Sequence, residues 1–196
     1  QERGSLRDSQ KEAKEITTMF KGFDYEVESL IKQNSGDIVT SLFKQEYKII
    51  HISGHGNFEK DHPERSGMII GNKTFLTPRE FNQLPYTPEM VFVNCCFLGK
   101  IDAEQENLYQ GRYQFAANIG TQLIQNGVKV VIAAGWAVDD AAAVEFARVY
   151  YDCMFDGMEF GRAVLTARKT IYEKFPYTNT WGAFQCYGDP FYKLKM

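Results

Sequence analysis

The run VFVNCCFLG, from Val91 to Gly99, is the part of the chain around which the rest of the sequence is organised. Its first residues, Val91 to Asn94, are mostly apolar and predict a short buried strand. Two cysteines end this strand, and a glycine-containing loop follows them. Ligands of open α/β sheets bind in the crevice outside the carboxyl ends of the strands, so we expect a cysteine at this crevice.

A second apolar strand, Tyr47 to Ile52, leads into the run Ser53-Gly54-His55-Gly56. This pattern predicts a histidine at the carboxyl end of another strand, between two glycines that allow a sharp backbone turn and a close approach to a ligand. If the two strands are neighbours in a parallel sheet, His55 and a cysteine face each other across one crevice. A thiol nucleophile and its general base require this arrangement.

The length of 196 residues fits one domain spanning 1–196. The formal net charge of −3 argues against direct nucleic-acid binding, which usually needs a basic surface. No apolar run approaches the roughly 20 residues of a membrane helix, and the polar N-terminus does not resemble a signal peptide. Four cysteines, two of them adjacent, predict free thiols in a reducing compartment, which favours the cytoplasm.

The rest of the chain alternates helical and strand patterns. Helices are predicted over about Leu6–Lys21, Asp37–Lys44 with Ser35 as its cap, a short segment that the capping box Thr77–Glu80 opens and that ends before Pro85, Tyr113–Asn126, from Asp139 or Asp140 to Phe155, and Gly161–Lys174. Further strands are predicted over Met68–Ile70, Lys73–Leu76, Val128–Ala134 and Trp181–Tyr187. The polar segment Lys100–Gly111 has no clear period, so we expect a loop flanking the crevice. This alternation predicts a mostly parallel α/β sheet with flanking helices. Because the chain starts directly at a helix, we expect it to be the C-terminal part of a longer protein.

The two adjacent cysteines are expected to have different environments. Side chains alternate between the faces of a strand, so Cys95 groups with Val91 and Val93, whereas Cys96 groups with Asn94. We choose Cys96 as the crevice residue because it lies at the break between strand and loop. Cys95 then behaves as a small buried hydrophobe. The two remaining thiols are assigned to the core: Cys153 and Cys186.

The same reasoning separates two of the histidines. His51 lies within its strand, where a histidine is usually a hydrogen-bonded core residue, whereas His55 lies at the strand end. An alternative is a zinc site with four ligands: His51, His55, Cys95 and Cys96. The alternation of faces argues against it, because two of these ligands would point away from the metal.

Four motifs together resemble a known family. His55-Gly56 resembles the Ser-His-Gly motif of caspases, and Asn94 to Gly99 resembles the strand-end cysteine motif of the caspase-like clan. Gly127 to Asp140, and the ending from Trp181 to Pro190, are most similar to CHAT domains, which are caspase-like domains associated with tetratricopeptide repeats. The resemblance covers nearly the whole chain. Caspase signatures place the histidine about 50 residues before the cysteine, and the 41 residues here are compatible with that spacing.

The resemblance implies a caspase-like three-layer α/β sandwich and a cysteine endopeptidase. His55 would be the general base and acid, and Cys96 the nucleophile. The backbone amides of Gly56 and Cys96 would form the oxyanion hole, where each donor typically contributes about 3 kcal/mol. The resemblance implies no metal and no organic cofactor.

The expected substrate pocket departs from that of caspases. Trp136 resembles the caspase pocket tryptophan, but Ala137 follows where caspases place an arginine. Without a guanidinium group, a substrate aspartate has no bidentate partner. Asp139 and Asp140 offer acidic groups instead, as an acidic residue at this place does for a basic P1 side chain in the related separases; the alternative is that both only cap a helix. Asn94 is neutral where basic-specific relatives often carry an acid.

The resemblance also suggests a biological setting. Members are bacterial, cytoplasmic and joined to N-terminal helical repeats that sense a trigger, and some are CRISPR-associated or cleave gasdermin-like pore formers in antiviral defence. We therefore expect a protein substrate and a helical-repeat sensor as partners, with no direct nucleic-acid or membrane contact. Two alternatives remain open: a non-catalytic caspase-like scaffold or interaction module, and a thiol acyltransferase that uses the same dyad.

Overall fold

The computed structural model describes residues 2–57, 66–71, 74–97 and 105–195, with the backbone alone described at 2–8, 96–97 and 105–112. The helices are α1 Glu2–Gly22, α2 Ser35–Lys44, α3 Pro78–Phe81, α4 Gln105–Gln125, α5 Asp140–Phe155, α6 Phe160–Lys174 and α7 Thr180–Ala183. The strands are β1 Ile49–Asn57, β2 Gly67–Gly71, β3 Thr74–Leu76, β4 Met90–Phe97, β5 Val130–Ala134 and β6 Phe184–Gly188. None of the described helices combines the length and the apolar composition that spanning a membrane requires.

The strands form one sheet in the order β3-β2-β1-β4-β5-β6. The three central strands, β1, β4 and β5, are parallel, and helix α4 connects β4 to β5. The remaining strands pair antiparallel at the two sides of this centre. The predicted three-layer α/β sandwich is confirmed, and the carboxyl ends of the three parallel strands lie at the same edge of the sheet.

Helices cover both faces of the sheet and create two separate cores. Phe92 and Ile132 point into a core with residues of α1, α5 and α6, and Phe92 has aromatic contacts with Phe146, Tyr150, Tyr151 and Phe184. Val91 and Val93 point the other way, into a core with residues of α2, α3 and α4. Burial of each large apolar side chain contributes about 1.5–3 kcal/mol, so this alternation strongly specifies which face of β4 points where.

Several predicted elements are confirmed. The hairpin is present as β2 and β3, with residues 72–73 outside the described part. Thr77 and Glu80 form the predicted capping box at α3. Helix α5 begins after its N-cap Asp139 and ends at Phe155, and α6 ends at Lys174 as predicted.

The prediction for the end of β1 was wrong. The strand continues to Asn57, so His55 lies within extended backbone, and neither Gly54 nor Gly56 has a positive φ. The cause is pairing with β4, whose partners follow β1 from Ile49 as far as Gly56. A sharp turn between the glycines is therefore not how His55 reaches the sheet edge.

The starts of two helices, α4 and α2, also differ from the predictions. Helix α4 begins at Gln105, so the predicted loop was wrong from that residue onward, while residues 98–104 lie outside the described part. The first turns of α4 are polar and show no apolar period, although Gln, Glu and Leu favour helix. Asn34 caps α2 instead of Ser35, since its Oδ1 accepts from the Asp37 amide at 3.0 Å.

The last predicted strand, Trp181–Tyr187, is divided between a short helix and a strand. Thr180–Ala183 forms α7, and only Phe184–Gly188 forms β6. In this segment the ring of Trp181 packs edge-on against Tyr172 of α6, a tertiary contact that the aromatic composition of the segment could not show.

Candidate active site

The pairing of β1 with β4 brings the two predicted dyad positions together. His55 and Cys96 are direct register partners in this parallel pair. Adjacent strands lie about 4.8 Å apart, so the two Cα atoms are at neighbouring-strand distance near the carboxyl ends of both strands. The side chain of His55 is buried, with 7% of its surface exposed. The backbone of Cys96 is described, and its side chain lies outside the described part.

The pairing of β4 with β5 ends earlier along the strand than its pairing with β1. We therefore expect a crevice beside the last residues of β4, on the side of β5. The β4–β5 ladder ends at Val93 and Ala133, whereas the β1–β4 ladder continues to Gly56 and Phe97. On the β5 side, Cys96 therefore extends beyond the paired region.

Cys95 has the environment predicted for it. It is 2% exposed and lies in the apolar core that contains Val91 and Val93. The two other described thiols are partly buried in the opposite core. Burial raises the pKa of Cys186 to about 11 and also raises the pKa of Cys153, so neither is a good nucleophile at neutral pH.

Asn94 is buried, with 7% of its surface exposed, and it contacts helix α1. Its Nδ2 donates to Oε2 of Glu12 at 2.8 Å. Its Oδ1 has no hydrogen-bond partner among the described residues. Of the two polar atoms that could contact a substrate, only the oxygen is therefore still available.

His51 is a hydrogen-bonded core histidine, as predicted. Its Nε2 lies 3.2 Å from Oε1 of Glu12, its Nδ1 lies 3.0 Å from the hydroxyl of Tyr151, and its ring stacks on Phe92. Burial, and then the Glu12 carboxylate, raise the pKa of Tyr151 well above its ordinary value. Because the phenol of Tyr151 keeps its proton, its hydroxyl can donate to Nδ1 of His51. The Nε2–H group of His51 then donates to Glu12.

Sequence reasoning missed Glu12. This residue is 3% exposed, although glutamate is rarely buried without partners. A signal was present: Glu12, Ile16 and Phe20 follow each other at intervals of four and therefore share one helix face. A charged residue in line with two buried apolar residues indicates a buried polar contact.

The predicted pocket residues lie where β5 leads into α5. Asp139 caps α5, because its Oδ1 accepts from the amide of Ala142 at 3.0 Å. Its own amide donates to Oγ1 of Thr180 at 2.9 Å. Asp139 and Asp140 are both exposed. The capping role is therefore confirmed for Asp139, and its carboxylate is still accessible to solvent.

Trp136 is half-buried beside α7. A Cβ atom at Gly182 would lie 3.5 Å from Cζ2 of the Trp136 ring, so the indole lies over this glycine. The indole Nε1 is buried and has no hydrogen-bond partner among the described residues. Trp136 therefore offers an apolar wall and one available donor near the end of β5.

Gly56, the second predicted oxyanion donor, has partners on both sides. Phe97 of β4 and Met68 of β2 are its register partners. Backbone groups of an inner strand are normally used by the neighbouring strands. The Gly56 amide can donate a hydrogen bond to an oxyanion only if the pairing of β1 with a neighbouring strand is broken at this end.

Comparison with known proteins gives the family. The model of the CHAT domain family matches residues 2–189. The chain belongs to the CHAT domain family. This family is part of the caspase-like protease superfamily, so the paired histidine and cysteine positions of this CHAT domain lie in a fold related to peptidases. No curated protein matches the chain.

In the described part of this CHAT domain, no group of three or more histidine, cysteine or acidic side chains could hold a metal ion. The geometry argues against the alternative of a four-ligand zinc site. Cys95 points into the core opposite to His51, and both ring nitrogens of His51 already have protein partners.

We predict that Asp139→Ala lowers the free energy of unfolding of this CHAT domain by about 1 kcal/mol, because it removes the N-cap of α5. Asp139→Asn should lose less, since asparagine also caps helices. Urea unfolding followed by circular dichroism measures both, with the exposed Asp140→Asn as the control for charge near the helix start. Equal losses in Asp139→Ala and Asp139→Asn would contradict the capping role.

Proposed function

We propose that this CHAT domain is a cysteine endopeptidase with His55 and Cys96 as its catalytic dyad. The observation that carries the proposal is the direct register pairing of these two positions in neighbouring parallel strands. A free thiol is only a few per cent thiolate at neutral pH, so a neighbouring imidazole that accepts its proton has a large effect. Strand alternation assigns Cys95 to the opposite face, where it is buried.

The proposed reaction has two steps. The proton of Cys96 passes to His55 while the sulfur attacks the scissile carbonyl carbon, and the electron pair of the C=O bond moves to the oxygen. His55 then donates the proton to the leaving amine as the C–N bond breaks and a thioester forms. In the second step His55 takes a proton from water, the hydroxide attacks the thioester, and the proton returns to the Cys96 sulfur.

The oxyanion of each tetrahedral intermediate needs backbone donors. The Cys96 amide lies at the part of β4 that extends beyond the β5 ladder. The Gly56 amide is the second proposed donor, and it requires the end of β1 to separate locally from a neighbouring strand when the substrate binds. Removing one donor of this kind typically costs about 3 kcal/mol of transition-state stabilisation.

We place the substrate pocket at the loop from Trp136 to Asp140, after β5. Trp136 would form its apolar wall, and the exposed carboxylates of Asp139 and Asp140 would make its entrance acidic. The exposed side chain at Ala137 adds no positive charge. Asn94 would contribute its Oδ1 at most, since its nitrogen is bonded to Glu12.

The biological setting belongs to the same proposal. Its support is the family membership of the chain and the sequence motifs of the CHAT domain. The substrate would be a specific protein, the compartment the bacterial cytoplasm, and the regulator an N-terminal helical-repeat sensor. A role in antiviral defence, either CRISPR-associated or through a gasdermin-like pore former, would place the cleavage under the control of a trigger.

We predict that Cys96→Ala and His55→Ala each abolish peptide cleavage while the protein remains folded. Cys95→Ala is the matched control and should keep substantial activity, because Cys95 only fills space in the core. A fluorogenic peptide library measures cleavage, and circular dichroism verifies folding. If Cys95→Ala is inactive and Cys96→Ala active, the assignment is wrong by one residue. If the folded wild type cleaves no protein or peptide, the alternative of a non-catalytic scaffold replaces the protease.

We also predict that the pocket rejects an acidic P1 side chain. Two carboxylates about 6 Å apart repel each other by roughly 3 kcal/mol at an effective dielectric constant near 20. This repulsion corresponds to about a hundredfold in rate if it acts in the transition state. A P1-scanned peptide library should show cleavage after basic or neutral residues, and Asp139→Asn and Asp140→Asn should reduce the preference for basic residues. Preferential cleavage after aspartate would contradict the pocket assignment.

A further inference from the structure

Glu12 of α1 joins the two strands that carry the proposed dyad. Its Oε1 lies 3.2 Å from Nε2 of His51 in β1, and its Oε2 accepts from Nδ2 of Asn94 in β4 at 2.8 Å. A carboxylate with both oxygens occupied by donors from different strands fixes these strands relative to each other. Helix α1 also contacts β1 through Ser53, whose Oγ donates to the carbonyl oxygen of Ser9 at 2.8 Å.

The two partners of Glu12 lie close to the dyad along the chain. His51 is four residues before His55 on β1, and Asn94 is two residues before Cys96 on β4. Even spacings along a strand keep residues on the same face. The bridge through Glu12 therefore lies on the face of the sheet to which strand alternation assigns both dyad residues.

A glutamate at this buried position is energetically unfavourable unless its hydrogen bonds are needed to align β1 with β4. Burying a carboxylate is unfavourable, and replacing a buried ionic group by a well-packed apolar side chain is often neutral or stabilising. Position 12 shares its helix face with Ile16 and Phe20, both buried in the apolar core, so an apolar side chain would be compatible with this face. A contribution to stability therefore does not explain the Glu12 carboxylate well. The alignment that it imposes on β1 and β4 explains it better.

We propose that Glu12 is a positioning residue of the active site, which aligns the ends of β1 and β4 so that His55 meets Cys96. This inference rests on the proposed function, because it concerns the same dyad. Glu12 touches no substrate in this account; it acts through His51 and Asn94. Three side chains are bonded in this network besides Glu12: His51, Asn94 and Tyr151.

The hydrogen bond between Asn94 and Glu12 can be tested by exchanging its donor and its acceptor. Asn94→Asp puts a second carboxylate against Glu12 and should separate the strand ends. Adding Glu12→Gln to this variant restores every bond, since the introduced amide donates to the new carboxylate while its oxygen still accepts from His51. Glu12→Gln alone should have a small effect, because the Asn94 amide can rotate and present its free oxygen to the introduced nitrogen.

The main readout is the rate of Cys96 alkylation by iodoacetamide, located by peptide mass mapping, because it needs no substrate. Asn94→Asp should slow alkylation by about tenfold, and the double variant should return to within about threefold of the wild type. Peptide cleavage should follow the same order through kcat more than KM. Glu15→Gln, at an exposed glutamate of the same helix, is the matched control and should change neither rate.

Two results would overturn the proposal: a folded Asn94→Asp variant that alkylates at the wild-type rate, or a folded double variant that stays as slow as Asn94→Asp. If Asn94→Asp does not fold, Asn94→Ala replaces it, since it removes the donor to Glu12 without adding charge. Unchanged alkylation in Asn94→Ala then overturns the proposal. If the wild type cleaves no peptide while alkylation follows the predicted order, the protease function fails and the positioning role stands. If the wild type cleaves peptides but Cys96 of the variants is alkylated at the wild-type rate, the protease function stands and the positioning role of Glu12 fails.

Discussion

The parallel pairing of β1 with β4 is the interaction on which the candidate site depends. Each residue from Ile49 to Gly56 has a partner in β4, and the penultimate partners are His55 and Cys96. A slip of one residue would place every side chain of a strand on the opposite face. Cys95 would then be on the side of His55, and Cys96 would face the other core. The choice of Cys96 over Cys95 as the proposed nucleophile is therefore a consequence of strand register.

Two kinds of contact specify this register. The apolar contacts are the stronger: Val91 and Val93 fill one core, whereas Phe92 packs among aromatic rings in the other. On the face of the sheet that carries Phe92, the side chains become polar toward the carboxyl ends of the strands, while Cys95 is still buried in the opposite core. On the Phe92 face, Asn94 and His51 bind the same carboxylate of Glu12. Polar contacts thus continue the alignment up to the level of the dyad.

The parts of the structure that could be predicted follow from short-range patterns. The alternation of side chains along β4 assigned Cys95 to the face opposite to Asn94 and Cys96. Helix capping signals located Thr77 and limited the N-cap of α5 to Asp139 or Asp140, of which the structure shows Asp139. The parts that could not be predicted depend on contacts distant in sequence. The extension of β1 through Gly54 requires β4 as a partner, and the burial of Glu12 requires donors from two strands. The sequence of β1 alone does not show its partner strand. The sequence of α1 alone places Glu12 on the buried face of the helix but does not show which groups bind it.

The most direct test of the account is a crystal structure of the protein after reaction with a peptidyl chloromethyl ketone. We predict a covalent bond to the sulfur of Cys96. We also predict that a ring nitrogen of His55 lies about 3–3.5 Å from the reacting atoms, with the peptide between the end of β4 and the Trp136 loop. A bond to Cys95, or a His55 ring more than ~10 Å from the modified sulfur, far beyond the reach of proton transfer, would contradict it.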